Sequence, residues 1–445
     1  MKKPVGVKSP MNEKLTVIGG GLAGCEAAWA AANAGVSVTL VEMKPARYTP
    51  AHHSPALAEL VCSNSLKAAR LESAAGLLKE EMARLGSVCV AVARECAVPA
   101  GGALAVDRDQ FSEGVTARIT AHPNITIEHR EVTELPSDGV VVVATGPLTA
   151  DALAESIAAR FGEGLNFYDA AAPIVTAESV DMTSAFRASR YDREESGEGD
   201  YINCPMNKAE YEAFHEALIG AERALLHAFD KPKVYEGCMP IEILASRGTD
   251  AIRFGPMKPV GLRDPHTGHR PWAVLQLRTE NAEGTLYNLV GFQTNLKFAE
   301  QKRVFSMIPA LKNAEFVRYG VMHRNTFLDS PRLLNAAFQL KEDPRLFFAG
   351  QMTGVEGYME SACSGLLAGQ NAVRALRGEQ PLILPRETMM GALSYHVSDP
   401  TVKEFQPMGA NFGVLPPLDT PIRDKRERYA ALAARALAKL EECVK

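Results

Sequence analysis

The 445-residue sequence lacks several patterns that mark common protein classes. Its eight cysteines include no C-x-x-C pair and no zinc-type spacing, so neither a dithiol redox centre nor a metal site is predicted. No apolar run approaches the roughly 20 residues that a membrane-spanning helix requires. The first residues also lack the apolar core of a secretion signal. We therefore expect a cytoplasmic protein without a membrane partner.

The sequence also lacks a strong charge of either sign, since its formal net charge is −5. Such a mean charge does not indicate nucleic-acid binding, but binding depends on a local basic face. Residues 231–303 carry eleven Lys or Arg residues against seven acids. This stretch, which includes Arg263 and Arg270, is our candidate for a surface that faces phosphate groups.

Residues 15–42 predict a strand, a glycine turn, a helix and a second strand. G-x-G-x-x-G spacing between a strand and a helix is typical of a dinucleotide site, because glycines let a pyrophosphate approach the backbone at the helix N-terminus. Glu42 ends the second strand, where an acid can accept hydrogen bonds from ribose hydroxyls. The predicted contacts are Gly19, Gly20, Gly21, Leu22, Ala23, Gly24 and Glu42.

Two later segments favour FAD over NAD as the dinucleotide. Residues 139–147 read as a buried strand that ends at an A-T-G turn, and residues 346–350 read as another strand that ends at a glycine. Gln351 stands where many flavoproteins carry an aspartate. The further predicted cofactor contacts are Ala144, Thr145, Gly146, Gly350 and Gln351.

The sequence pattern between these segments indicates an inserted domain. Short alternating stretches among Pro and Gly turns replace the buried strands from about residue 165 to 320, which favours an antiparallel domain. We predict an α/β fold: an FAD-binding, Rossmann-like domain of the two-dinucleotide-binding flavoprotein type, with an inserted, largely antiparallel α+β domain. The predicted boundaries are residues 12–180 and 319–445 for the FAD domain and residues 181–318 for the insertion.

Several longer blocks carry a specific resemblance. They include VCSNSL (61–66), PAGGALAVDR (99–108), FGPMKPVGL (254–262) and AGQMTGVEGYMESACSG (349–365). In these blocks, in order from about residue 15 to 415, the sequence resembles the TrmFO family of folate- and FAD-dependent tRNA (uracil-C5-)-methyltransferases.

The resemblance implies an enzyme that forms 5-methyluridine in the T loop of tRNA. Methylenetetrahydrofolate would donate the carbon, reduced FAD would carry the methylene and supply reducing equivalents, and NAD(P)H would reduce FAD again. No obligatory protein partner is predicted. The alternatives are the same reaction on ribosomal RNA, an NAD(P)H-dependent flavin oxidoreductase without RNA, and a non-enzymatic RNA-binding flavoprotein.

The chemistry explains why thiols matter in such an enzyme. C5 of uracil is a poor nucleophile until a thiolate adds to C6, and a base must later remove the C5 proton. The resemblance implies that Cys62 and Cys238 are the two active-site cysteines. We favour Cys238 as the C6 nucleophile and Cys62 as the base or a partner beside the flavin, with the reverse assignment as the alternative. Ser63, Asn64 and Ser65 suit a helix N-cap, and helical stretches are predicted near 65–70 and 74–85. A helix N-terminus at this point would lower the pKa of the Cys62 thiol.

The remaining candidates have a functional and a structural interpretation. Tyr358 is predicted to cover one face of a stacked flavin and pterin, or else to pack under the flavin loop. His323 and Arg324 are candidate folate or flavin contacts, with a buried, hydrogen-bonded histidine as the alternative. The other cysteines are predicted to be packing thiols, with approach to the flavin as the alternative for Cys363: Cys25, Cys89, Cys96, Cys204, Cys363 and Cys443.

Overall fold

A computed structural model describes most of the chain. The described residues are 14–49, 51–162, 165–170, 172–190, 199–224, 239–320, 322–402 and 405–444. The helices are α1 Leu22–Asn33, α2 Ala74–Arg84, α3 Val88–Glu95, α4 Arg108–Ala121, α5 Asp151–Phe161, α6 Lys208–Ile219, α7 Ile241–Ala245, α8 Phe298–Phe305, α9 Ser330–Leu333, α10 Tyr358–Arg377, α11 Met389–His396 and α12 Lys425–Val444. None of these helices is both long enough and apolar enough to cross a membrane.

The strands divide among four sheets. They are β1 Lys14–Ile18, β2 Ser37–Glu42, β3 Ser65–Ala68, β4 Ala97–Val98, β5 Ala103–Val106, β6 Ile125–His129, β7 Val140–Val143, β8 Leu165–Ala170, β9 Ile174–Thr176, β10 Phe186–Arg187, β11 Tyr201–Met206, β12 Ala273–Thr279, β13 Leu286–Leu289, β14 Phe316–Arg318, β15 Met322–Phe327 and β16 Leu346–Phe348.

The first sheet is parallel, with the strand order β16-β7-β1-β2-β6. The chain leaves β1 through α1 towards β2 on one side, whereas β7 lies on the other side of β1. The order therefore changes direction beside β1, and the carboxyl ends of β1 and β7 flank the crevice where α/β folds bind ligands. The predicted Rossmann-like domain is confirmed.

Helices α1 and α10 pack closely against each other beside this sheet. A Cβ atom on Gly365 would lie 2.0 Å from the carbonyl oxygen of Ala23, and one on Gly369 would lie 2.5 Å from that of Ala27. Since real Cβ atoms do not approach so closely, the two glycines allow the contact. It places the middle of α10 beside the N-terminal half of α1.

The second large sheet is antiparallel and belongs to the predicted insertion. Its order is β10-β11-β12-β13-β9-β14, and a separate apolar core lies between it and α6, α7 and α8. Strand β9 pairs with both β13 and β14. The predicted boundary at residue 181 would assign β9 to the other domain, so we propose that the insertion begins before Ile174.

Two small sheets complete the architecture. Strands β8 and β15 pair with each other where the chain enters and leaves the insertion. Strands β3, β5 and β4 form an antiparallel sheet. The helix predicted near residues 65–70 is therefore wrong, because the backbone of β3 pairs with β5 instead.

Candidate active site

A cleft, here called the glycine cleft, opens along the carboxyl ends of the parallel strands. Eleven of the twelve residues predicted as cofactor contacts line it. They are Gly19, Gly20, Gly21, Leu22, Ala23, Glu42, Ala144, Thr145, Gly146, Gly350 and Gln351. The structure thus brings four separate strand ends to one cleft, although their role as cofactor contacts stays a prediction.

The glycines of the first turn serve different purposes. A Cβ atom on Gly24 would lie 1.8 Å from the carbonyl oxygen of Gly19, so Gly24 lets the helix pack on the turn. Gly19 has φ +101°, and a Cβ atom there would lie 2.6 Å from the carbonyl oxygen of Ala144. At Gly21 the structure has no neighbouring atom within 4 Å of the Cβ position among the described residues. This open space lies directly before α1.

Glu42 joins the end of β2 to the glycine turn. Its carboxylate accepts hydrogen bonds from the backbone N–H groups of Gly20, at 2.6 Å, and of Lys44, at 2.9 Å. The residue is buried but lines the cleft. A carboxylate has about four acceptor positions, so these two bonds leave capacity for the predicted ribose hydroxyls.

The cleft residues fit FAD. The open space at Gly21 faces the first N–H groups of the 12-residue helix α1, which have no acceptor within the helix and can bind a pyrophosphate. Glu42 stands at the ribose end. In the other direction the cleft continues past Gly350 to Val61 and Tyr358, where a flavin ring would meet the segment that carries Cys62.

Tyr358 holds that segment, residues 60–64, here called the Cys62 loop. The phenol oxygen accepts hydrogen bonds from the backbone N–H groups of Cys62, at 2.8 Å, and Ser63, at 3.3 Å. It also lies 3.1 Å from the Cys62 Sγ atom. Because the two N–H groups occupy both lone pairs of the oxygen, its hydroxyl hydrogen is available to the sulfur. Burial raises the pKa of Tyr358 well above its ordinary value, so the phenol keeps that hydrogen.

Three arginines from three elements hold the same loop. Arg108 of α4 donates to the carbonyl oxygen of Leu60. Arg318 of β14 donates to that of Val61 at 2.5 Å. Arg278 of β12 donates to the Ser63 hydroxyl at 2.8 Å and to the Asn64 side-chain oxygen at 2.9 Å.

This arginine set makes the surroundings of Cys62 positive. One buried carboxylate, that of Glu280, pairs with Arg108. Burial lowers the pKa of Arg278 and of Arg318, but arginine remains protonated in proteins. Positive charge near a thiol favours its ionised, nucleophilic form. The half-buried Cys62 is therefore in a suitable place for thiolate chemistry.

The predicted helix cap at residues 63–65 is wrong. Asn64 is fully buried, and its side-chain N–H group donates to the carbonyl oxygens of Val106, at 3.0 Å, and Thr279, at 2.9 Å. Its polar group is therefore committed to β5 and β12 and cannot cap a helix. The next helix, α2, begins at residue 74 with Ser73 as its cap. Positive charge at Cys62 comes from arginine side chains rather than from a helix terminus.

Comparisons with known proteins agree with this geometry. A family model described as glucose inhibited division protein A matches residues 14–380. A protein of Enterococcus faecalis, named methylenetetrahydrofolate--tRNA-(uracil-5-)-methyltransferase TrmFO, is 58% identical over 96% of this chain and 98% of its own length. A protein of Moorella thermoacetica with the same name is 59% identical over 96% and 97%. The chain belongs to the TrmFO family.

Solved structures support the fold of this TrmFO family member. Aquifex aeolicus GidA in one crystal form superposes with a TM-score of 0.68 at 17% identity, covering 97% of this chain and 73% of GidA. A second crystal form gives 0.69 at 18% identity, covering 96% and 75%. At such low identity the likeness shows the fold alone.

The other described cysteines differ from Cys62. Five of them are buried, and burial raises the pKa of each thiol; they are Cys25, Cys89, Cys96, Cys204 and Cys363. The predicted burial is therefore confirmed for these five, and their lack of a catalytic role stays a prediction. The predicted burial is wrong for Cys443, which is exposed near the end of α12.

Three predicted site residues have little or no structural description. Cys238 lies outside the described residues. His323 and Arg324 lie on β15, opposite Asp169 and Tyr168 of β8, but their side chains lie outside the described part. The roles of these three residues stay predictions.

Sequence reasoning missed the residues that hold the Cys62 loop. The sequence pattern predicts a cap at Asn64 and does not single out Arg108, Arg278 or Arg318 as site residues. A signal existed for Arg278, because a charge in the apolar strand at residues 272–278 requires a buried partner. Nothing in the sequence identified Asn64 as that partner, since 214 residues separate the two.

Proposed function

We propose that this protein transfers a one-carbon unit from methylenetetrahydrofolate to C5 of a tRNA uridine, with FAD as cofactor and NAD(P)H as reductant. The observation that carries the proposal is the position of Cys62. A half-buried thiol lies beside Tyr358 and the arginine set at one end of a cleft whose other end fits a dinucleotide. Relatives named for this reaction share 57–59% identity with the chain over nearly its full length.

The cofactor would be held by the glycine cleft. The turn at Gly19 to Gly24 and the N-terminus of α1 would bind the pyrophosphate, Glu42 the ribose, and Gly350 and Gln351 the ring end. When bound, reduced FAD would carry the methylene unit and supply reducing equivalents. The Gln351 side chain donates to the Glu356 carboxylate at 2.7 Å, which fixes its orientation at the cleft edge.

The residues around Cys62 would prepare the thiol. A thiolate that adds to C6 of uracil makes C5 nucleophilic, and a base then removes the C5 proton. Tyr358 can donate its hydroxyl hydrogen to the sulfur and so stabilise the thiolate. The arginine set adds positive charge and fixes the loop through hydrogen bonds from α4, β12 and β14.

Whether Cys62 attacks C6 or serves as the base is open, with Cys238 as the other candidate. RNA that carries 5-fluorouridine at the target position would retain a covalent adduct with the attacking thiol. Mass spectrometry of the adduct would show which cysteine is bound.

A single-turnover assay tests the proposed function. The flavin-loaded protein would be reduced with NADPH or NADH and mixed with a T-loop RNA hairpin and methylenetetrahydrofolate labelled in its methylene carbon. We expect label in 5-methyluridine, and none when labelled S-adenosylmethionine replaces the folate. A hairpin from ribosomal RNA serves as the comparison substrate.

Two outcomes would contradict the proposal. Label in the ribosomal hairpin alone would assign the reaction to ribosomal RNA. NAD(P)H consumption with a small acceptor, but no label in either RNA, would favour a flavin oxidoreductase.

A further inference from the structure

An aromatic stack lies on the insertion domain close to the Cys62 loop. Its members are Phe298, Tyr319 and Phe316, and Tyr319 is the common partner. The Tyr319 ring is parallel to that of Phe298 within 17°, with centroids 4.9 Å apart. It is parallel to that of Phe316 within 9°, with centroids 5.6 Å apart.

The outer member of the stack has an open ring face. Phe298 is 54% exposed although Tyr319 covers one of its faces. Most of that exposure must therefore come from the opposite face and the ring edge. A large, exposed aromatic ring that is fixed by stacked neighbours rather than buried is unusual on a protein surface, and it suits a planar ligand.

The stack is connected to the active site through β14. Arg318 lies between Val317 and Tyr319 in the sequence, and its guanidinium group donates to the Val61 carbonyl oxygen, one residue from Cys62. Only the length of one arginine side chain thus separates the backbone beside Tyr319 from the Cys62 loop. A substrate placed at Cys62 would extend over this part of the insertion.

The charge around the stack identifies the class of ligand. Residues 297–318 contain five Lys or Arg residues and two acids, in a chain whose net charge is −5. Lys302 and Lys312 are exposed there. Lys297 pairs with Glu222, and Arg303 pairs with Glu300. Open aromatic faces beside cations are typical of sites for unpaired nucleotides, in which bases stack and phosphates meet positive charge.

We propose that the aromatic stack binds a base of the substrate RNA next to the target uridine. The inference depends on the proposed function, since it assigns a position to the RNA of that reaction. A uridine whose C5 and C6 must both be reached has to unstack from the neighbouring bases of the RNA, which costs about a few kcal/mol. The adjoining base then lacks a partner, and Phe298 offers it one. Stacking is tolerant of base identity, so the stack would position the RNA without reading its sequence.

The fluorescence of a labelled RNA bound to the original holoenzyme gives the first test. A T-loop hairpin would carry 2-aminopurine, whose emission is quenched by stacking, next to the target uridine on either side in two separate RNAs. We expect added quenching in one of the two on binding, and loss of that quenching in Phe298→Leu. Unchanged emission of both RNAs on binding would overturn the inference.

Binding of the unlabelled hairpin gives the second test. We expect Phe298→Leu to raise the Kd by about 5- to 100-fold, the range given by loss of one base–aromatic stack, while Phe298→Tyr restores it. Val317→Ala is the matched control, because Val317 is also 54% exposed on the neighbouring strand but carries no ring. Its Kd should stay within about twofold of the original.

The outcomes separate this inference from the proposed function. If the original protein methylates the hairpin but Phe298→Leu binds it as tightly, the stack is not an RNA contact. If Phe298→Leu instead abolishes self-association in sedimentation without changing the Kd, the stack is an interface between copies of the chain. If the original protein neither binds nor methylates the hairpin, the proposed function itself fails.

Discussion

The glycine cleft and the Cys62 loop meet at Tyr358, but they are constructed differently. The cleft is made by backbone at the ends of four strands and by glycines that leave room for a ligand. The loop is held by side chains from α4, β12, β14 and α10, and these belong to both domains. The first region can bind a cofactor within one domain, whereas the second needs the insertion in place. Substitutions in the cleft should therefore lower the flavin content, whereas substitutions that disturb the loop should change the reactivity of Cys62.

The largest effect is expected from Gly21→Val, which would fill the open space before α1. We expect loss of bound flavin with little change in the folded state, because no described atom lies within 4 Å of the new Cβ position. Flavin absorbance of the purified variant and its circular dichroism would measure both quantities.

Gly24→Val is the matched control within the same turn. Its Cβ atom would collide with the carbonyl oxygen of Gly19, 1.8 Å away. We expect a loss of unfolding free energy of about 3 kcal/mol or more, at the upper end of overpacking costs. A Gly21→Val protein that retains full flavin would contradict the assignment of the cleft.

The difference in predictability between the two regions follows from how they are made. The spacing of Gly19, Gly21 and Gly24 is local, so the sequence indicated the strand, the turn and the helix together. The A-T-G turn and Gly350 lie far along the chain, but each follows a buried strand, and parallel strands bring their carboxyl ends to one edge. These regularities were enough to predict eleven residues of one cleft.

The Cys62 loop follows no such regularity. The run of Ser63, Asn64 and Ser65 has the composition of a cap, and only the tertiary hydrogen bonds of Asn64 to β5 and β12 decide against it. Arg278 approaches Asn64 across the domain boundary, and no local pattern encodes that approach. The boundary before β9 was missed for a related reason, since β9 joins the second sheet through pairing that sequence texture does not show.

A smaller effect is expected from Arg278→Met, which affects the loop and leaves the cleft intact. The Asn64 oxygen and the Ser63 hydroxyl would lose a charged donor, and loss of such bonds costs about 1–3 kcal/mol. We expect slower alkylation of Cys62 by iodoacetamide, a shift of its pH profile to higher pH, and unchanged flavin content. Arg278→Lys should restore part of the rate.

Arg94→Met is the control for this experiment, because Arg94 is exposed and pairs with Glu80 rather than with the Cys62 loop. Its alkylation profile should match that of the original protein. A flavin-loaded Arg278→Met protein with an unshifted profile would contradict the electrostatic role of the arginine set.

The smallest expected effect is on the pH dependence of stability, and it comes from a buried acid in α1. Glu26 of α1 is fully buried and accepts a hydrogen bond from the Cys89 backbone N–H group at 2.9 Å. Burial raises its pKa from 4.5 to about 7. The folded state therefore binds a proton that the unfolded state has released, so this contribution to stability is complete below pH 4.5 and is lost as the pH rises through about 7.

Glu26→Gln removes this titration. We expect Tm to depend less steeply on pH between about pH 5 and pH 8. At the upper end of this range, the free energy of unfolding should rise by at most about 3 kcal/mol. Glu81, whose pKa burial also raises to about 7, should keep part of the slope. Exposed Glu113 gives the control variant Glu113→Gln, which should leave the slope as it is. A slope that Glu26→Gln leaves unchanged would show that Glu26 is ionised throughout.

The role of Cys62 is tested most directly by single-turnover methyl transfer with Cys62→Ala. We expect this variant to keep its flavin and to bind the T-loop hairpin, but to lose methyl transfer by roughly a thousandfold or more, because it lacks a thiol that takes part in the chemistry. Cys443→Ala, which removes an exposed thiol from α12, should transfer the methyl group at the original rate. A flavin-loaded Cys62→Ala protein that methylates the hairpin as fast as Cys443→Ala would contradict the account.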